Sequence, residues 1–254
     1  MLNMGLTSIT FRKLSLSEII TLAKESGLHG IEWGGDVHVP PGDLERARDV
    51  REKTAAAGLS VCSYGSYYRC DEEAGDFSDI LATAQELHAP VVRVWAGGKG
   101  SDAAEGAYRE EVIENLDKAV SAANEMGITV ALEYHRNTLT DTQASAHQLL
   151  EEVGLPELKL YWQPRTGGTF QENIAELEAA LPKLAYVHLF HWGTDEDGSI
   201  DRRPLAEGVE IWEEYLQLIR QADGDRFVLF EFVLGDSPEQ LREDAKVLSH
   251  LLNK

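Results

Sequence analysis

Short apolar runs alternate with segments of helical period from one end of the chain to the other. The runs are NMGLTS, GIEW, LSVCSY, VVRVW, ITVALEYH, LKLYW, LAYVHLF and RFVLFEF. Between and after them, apolar residues recur at helical spacing in eight segments, among them LSEIITLAKESG, YREEVIENLDKAVSAANEMG and SPEQLREDAKVLSHLL. Several of these segments end in glycine and reopen into an apolar run, as helix C-termini do. Eight strand–helix units fill the 254 residues, about 32 residues each, the size of a βα repeat. No low-complexity tract or long linker divides them. This pattern predicts an α/β fold, a single (β/α)8 TIM barrel spanning residues 1–254 as one domain. TSITFRK after the first strand lacks the glycine fingerprint that a dinucleotide-binding sheet would need.

Alternation within the strands assigns their faces, because neighbouring side chains of a barrel strand point to opposite sides. In the fifth strand Ile128, Val130, Leu132 and Tyr134 form the apolar phase that suits the helix layer. Glu133 and His135 then point inward at the C-terminal mouth, where barrel enzymes carry their chemistry. The same test turns Glu32, Arg93, Trp95, Gln163, His188 and Glu231 inward from five other strands. Buried charge must be paired or metal-bound, since desolvation is costly. A lone glutamate can be satisfied by Arg93. Two glutamates, a histidine and a glutamine converging on one mouth suit a divalent ion such as Mn, Mg, Co or Zn, with no thiolate required.

The totals narrow the partners. Acidic residues number 44 against 23 basic ones, a formal charge of −21. Such a chain repels polyanions, and no Lys/Arg cluster overrides that field, so nucleic acid is not expected as a partner. Cys62 and Cys70 are the only cysteines, too few for a disulfide framework. No apolar run is long enough to span a bilayer, and the N-terminus lacks the pattern of a secretory signal. The expected setting is cytoplasmic, without a membrane. Exposed apolar helix faces leave a homodimer possible.

ITFRKLSLSEIITLAKESGLHGIEW, LEYHRNTLTDT, VHLFHW, PLAEGVEIWEEYL and LFEF, in this order and spacing, resemble the xylose-isomerase-like barrel superfamily. Its members include sugar isomerases and epimerases, hydroxypyruvate isomerase, inosose dehydratase and apurinic endonucleases. The resemblance covers essentially the whole chain. It implies one divalent metal bound by Glu, Asp, His and Glu on the fifth to eighth strands. Matched by position, Glu133, His188 and Glu231 are the first, third and fourth ligands. Gln163 stands where the family has Asp. An amide oxygen ligates a hard cation without adding charge, so two carboxylates remain and weaker metal binding is expected. The family also implies that Glu133 and Glu231 form an acid/base pair.

The resulting expectation is a sugar or sugar-phosphate isomerase or epimerase that moves a proton next to a carbonyl with metal assistance. A dehydratase or lyase on an inosose-like or keto-sugar substrate begins with the same proton abstraction and stays open. So does a non-catalytic carbohydrate-binding barrel with a degenerate metal site. The substrate expected in each case is a small sugar or keto-polyol. Around the mouth, His38, Tyr64, Trp95, His135, Arg165 and His191 are candidate substrate contacts, with Tyr67 beside them. For the tyrosines packing is an equal alternative, and for His38 a solvent-exposed loop position. Arg93 is expected chiefly to hold Glu32 or Glu133.

Overall fold

The computed structural model describes residues 1–195 and 197–254. Eight strands close into a parallel barrel, as the alternation predicts. In chain order the elements are β1 (Leu2–Thr7), α1 (Leu16–Glu25), β2 (Gly30–Gly34), α2 (Leu44–Ala56), β3 (Ser60–Gly65), α3 (Phe77–Leu87), β4 (Val91–Val94) and α4 (Gly106–Glu125). There follow β5 (Thr129–Glu133), α5 (Gln143–Val153), β6 (Lys159–Trp162), α6 (Phe170–Ala180) and β7 (Leu184–Leu189). A hairpin of β8 (His191–Thr194) and β9 (Ile200–Arg203) then intervenes, before α7 (Val209–Ile219), β10 (Arg226–Phe230) and α8 (Pro238–Leu252). β10 pairs with both β7 and β1, which closes the barrel.

Local chemistry sets the helix ends. Ser15 with Glu18, and Thr169 with Glu172, form reciprocal capping boxes at the starts of α1 and α6. Asp43, Asp76, Thr142 and Ser237 each accept a backbone N–H at the starts of α2, α3, α5 and α8. The helices α1, α2, α4 and α5 reach a glycine with positive φ just past their ends, whereas α3 ends on His88 at φ 55°.

Two separate apolar regions hold the barrel. The larger lies between sheet and helices and includes Leu6, Ile31, Trp33, Leu132, Trp162 and Trp212. The smaller fills the barrel interior with Cys62, Val91, Ala131, Tyr161 and Leu229. Gly5 makes room there: a Cβ at this position would lie 2.6 Å from Leu229 Cδ2. Strict alternation fails at two places. The β2–β3 register skips Cys62, and the β6–β7 register skips Ala185. Such bulges rephase the side chains beyond them. Ser63 consequently meets Glu32 inside, while Tyr64 pairs beside Trp33 on the helix side.

The β8–β9 hairpin was not visible in the apolar pattern. Its strands, HWGT and IDRR, are half-exposed or exposed throughout, so they carry none of the alternation that a buried face imposes. No helix among the described residues is long and apolar enough to cross a membrane.

Candidate active site

Above the apolar interior sits a layer of buried polar side chains. Glu32, Arg93, Glu133, His188 and Glu231 are all at most 3% exposed, each delivered by the end of a different barrel strand. Arg93 ties two of the carboxylates together. Its Nε donates to Glu32 Oε1 at 3.1 Å, and its Nη1 donates to Glu133 Oε2. Gly65 permits this approach, since a Cβ there would lie 2.7 Å from Arg93 Nη2. Glu32 also accepts from Ser63 Oγ at 2.8 Å.

Glu133 is saturated with donors. Besides Arg93 it accepts from Trp95 Nε1 at 2.5 Å and from Gln163 Nε2 at 3.1 Å. Burial opposes its ionisation, but Arg93 and His188 outweigh that penalty and hold it well below the usual carboxylate range. Glu32 follows the same logic: burial is overcome by Arg93 and His188, which bring it down to about 2.

Glu231 follows the opposite course. Its Oε2 is buried and makes no hydrogen bond. Burial, with the charges of Glu133 and Glu32, outweighs His188 and Arg93 and pushes its carboxyl up to about 7. The residue opens onto a cavity of about 400 Å³ bounded by residues 9–14, Arg202, Phe232, Gly235 and Asp236. Phe232, immediately after it, adopts φ 49°, a strained value for a bulky residue.

Oxygen atoms gather around His188 Nδ1. Gln163 Oε1 lies at 3.2 Å, Glu231 Oε2 at 3.3 Å and Glu133 Oε1 at 3.4 Å. Gln163 is held in this pose because its Nε2 donates to the Tyr134 carbonyl at 2.7 Å as well as to Glu133. Burial disfavours charge on His188, yet the carboxylates of Glu231, Glu133 and Glu32 raise it to about 10. Three oxygen-bearing side chains thus converge on one imidazole nitrogen.

Donor atoms of Glu133, His188 and Glu231 all lie within 4.8 Å of one another, close enough to share one metal ion. Buried Glu231 Oε2 and His188 Nε2 make no hydrogen bond, as expected of groups with a partner still to come. Oxygen and imidazole donors suit a hard or borderline divalent cation. Charge also fits: three carboxylates balance a divalent ion plus Arg93 once His188 is neutral. The residues present therefore fit a metal.

Residues 20–251 match the xylose isomerase-like TIM barrel family. The chain belongs to that family. Among characterised relatives, a 3-dehydroshikimate dehydratase of Bacillus anthracis is 26% identical over alignments covering 97% of this chain and 96% of the relative. The crystal structure of the probable 3-DHS dehydratase AsbF, involved in petrobactin synthesis in that organism, superimposes with a TM-score of 0.81 at 23% identity, covering 97% of this chain and 98% of that one. A family member from Mycobacterium smegmatis in complex with magnesium gives 0.75 at 17% identity, covering 99% and 97%. A D-psicose 3-epimerase from Clostridium cellulolyticum H10 gives 0.70 at 14%, covering 99% and 98%. At such identities the structural matches speak for the fold.

Within this family frame, the inward phase of Glu32, Arg93, Trp95, Glu133, Gln163, His188 and Glu231 is as the alternation predicts. His135 stacks on Trp95, with ring centroids 4.5 Å apart. Its Nδ1 meets the Arg136 carbonyl at 2.7 Å, and burial lowers its pKa. Tyr67 stands edge-on to Trp95 at 5.3 Å and joins the same aromatic rim.

Four other expected contacts are engaged by groups of the protein itself. His38 is buried, neither exposed nor free. Its Nε2 donates to the Leu14 carbonyl at 3.3 Å, and its Nδ1 meets Ser8 Oγ at 3.0 Å, so it anchors the loop after β1. Tyr64 is fully buried and donates to the Val39 carbonyl at 2.7 Å. Arg165 turns to helix α6, where its Nη2 lies 3.0 Å from Glu176. His191 packs against Gly208, whose absent Cβ would otherwise sit 2.5 Å from Nδ1. Sequence reasoning passed over Ser63, Arg12, Lys13 and Arg202. Ser63 was hidden by the bulge; Arg12 and Lys13 lie in the loop after β1, and Arg202 lies in the exposed strand β9, which shows no apolar alternation.

Proposed function

We propose that this protein is a dehydratase that removes water from a small cyclic hydroxy ketone of the 3-dehydroshikimate type, beginning with abstraction of the proton next to the carbonyl. The carrying observation is the inequality of its two glutamates. Epimerisation by the paired-glutamate route asks two carboxyl groups to exchange protons on opposite faces of one carbon. Here Glu133 is committed to Arg93, Trp95 and Gln163, whereas Glu231 Oε2 makes no hydrogen bond and is the less committed of the two. A single carboxyl suffices for elimination. The full-length similarity to a 3-dehydroshikimate dehydratase supports the same reading.

Glu231 carboxylate takes the C–H proton next to the carbonyl, and the C–H electron pair delocalises onto the carbonyl oxygen. That pair then forms the ring double bond as the C–O bond at the next carbon breaks. The proton passes from Glu231 to the departing hydroxyl, which leaves as water, and the carboxylate is regenerated. No oxidant is required. A divalent ion held by Glu133, His188, Glu231 and the Gln163 oxygen would stabilise the negative charge that develops on the substrate oxygen. Glu133 supplies fixed negative charge, Arg93 keeps it ionised, and the rings of Tyr67, Trp95 and His135 offer an aromatic rim for the substrate ring.

The test is incubation of magnesium-loaded protein with 3-dehydroshikimate while near-ultraviolet absorbance of an aromatic product is followed. Protocatechuate, the substrate less one water, is expected. Deuterium incorporation with an unchanged or epimerised ring, and no aromatic product, would defeat the dehydratase reading.

A further inference from the structure

The cavity that reaches Glu231 has a wall whose charge is opposite to that of the molecule. Arg12, Lys13 and Arg202 line it, in a chain of formal charge −21. Arg12 and Lys13 come from the loop after β1, and Arg202 comes from β9. Chain segments almost 190 residues apart therefore place their cations around one opening.

Two of these cations are partly neutralised, and one is not. Arg12 Nε donates to Asp36 Oδ2 at 2.8 Å, and its Nη2 donates to Tyr67 Oη at 3.1 Å. Arg202 Nη1 donates to Asp236 Oδ1, and the guanidinium lies over the Phe232 ring at 5.1 Å. Lys13 has no ion pair among the described residues. Glu231 apart, three positive charges against Asp36 and Asp236 leave a surplus of one. Asp36 and Tyr67 fix the Arg12 fork, and the Phe232 ring supports that of Arg202, so neither need be ordered again on binding.

We propose that Arg12, Lys13 and Arg202 form an anion subsite that seats a carboxylate carried on the substrate ring while the ring lies against Glu231. This deepens the dehydratase reading and rests on it for the identity of the ring. A surplus of one positive charge matches a monoanion; a phosphate dianion would be left half-compensated beside Glu231 and Asp236. The long-range field of the protein repels every anion, so binding a carboxylate depends on this wall. The site also provides what an unphosphorylated neutral sugar would not require.

The experiment is isothermal titration of the magnesium-loaded protein with protocatechuate and with catechol, which lacks only the carboxylate. Protocatechuate is expected to bind at least roughly tenfold more tightly. Lys13→Gln and Arg202→Gln should each erase most of that difference and leave catechol affinity where it was. In turnover, both should raise KM by more than they lower kcat. Lys13 is an exposed loop residue, so its replacement leaves the fold intact and keeps the test decisive. Equal binding of protocatechuate and catechol would overturn the subsite, as would variants that weaken both ligands alike. Inorganic phosphate that displaces protocatechuate at equal concentration would overturn the assignment to a carboxylate. Charge-dependent binding without dehydration would sustain the subsite while removing the reaction.

Discussion

Glu133 and Glu231 stand at the ends of β5 and β10, with β6 and β7 between them around the same barrel, and are equally buried, at 3% exposure each, yet they hold their protons oppositely. Glu133 lies beside β4, which brings Arg93 and Trp95 to its oxygens. Glu231 follows β10, whose neighbour β1 contributes Thr7, and Thr7 spends its hydroxyl on the Phe230 carbonyl. His188 is the one cationic side chain within salt-bridge distance of Glu231 among the described residues. Burial alone raises both carboxyl groups; the neighbours decide which stays raised. One glutamate is thereby fixed as charge, and the other is left able to exchange a proton near neutrality.

The largest effect should come from exchanging the two roles. Glu231→Gln is expected to lower kcat by about 10²–10⁴-fold with the thermal unfolding midpoint retained, because a buried carboxyl that makes no hydrogen bond through Oε2 becomes a neutral amide. Glu133→Gln is expected to lose activity and fold stability together. Parallel rate and circular dichroism measurements check this, and two variants with identical stability would break the distinction. Next in size is Arg93→Met. Removing a cation shared by two buried carboxylates should cost about 3–5 kcal/mol of unfolding free energy, read from denaturant titration. Combining it with Glu32→Gln should restore part of that loss, since one stranded charge disappears with the mutation.

These residues were legible because β-strand alternation is a local rule. Glu32, Arg93, Glu133, Gln163, His188 and Glu231 all stand in or just beyond strands, and their phase follows from apolar neighbours two residues apart. Loop residues obey no such rule. His38 follows a strand, but its ring is consumed by Ser8 and Leu14. Arg165 follows Gln163 by two positions, but Glu176 from the next helix turn captures it. The cation wall has no local signature at all, because Arg12 and Arg202 meet only through the barrel closure. Gln163 gave a half-right signal: its neutral amide is a departure from the family pattern, yet its oxygen still faces His188 beside the carboxylates.

The comparison also predicts opposite pH limbs for the chelated protein. Glu32 is lowered to about 2, so its stabilisation is complete above the unfolded value near 4.5 and is lost as pH falls towards 2. Glu231 is raised to about 7, so its stabilisation is complete below about 4.5 and is lost as pH rises through 7. Each limb should amount to roughly 1–3 kcal/mol. Glu32→Gln should flatten the acid limb and Glu231→Gln the neutral one, in denaturant titrations across pH 2–8. A neutral limb that survives Glu231→Gln would show that another group carries it.

The smallest effect is expected at Gln163, where two consequences oppose each other. Gln163→Asp places a third carboxylate near Glu133 and His188, so magnesium affinity should rise by roughly tenfold. The shorter side chain also abandons the Tyr134 carbonyl and a donor to Glu133, which should cost the metal-free protein about 1–2 kcal/mol. Loaded and chelated forms should then move apart: the chelated variant melts earlier than wild type, while the loaded variant regains the difference through tighter binding. Calorimetry of both forms measures it. Unchanged magnesium affinity would place Gln163 outside the metal sphere and reduce it to a clamp on Glu133. The site would then rest on three ligands, with Glu133 immobilised still more firmly against the mobile proton of Glu231.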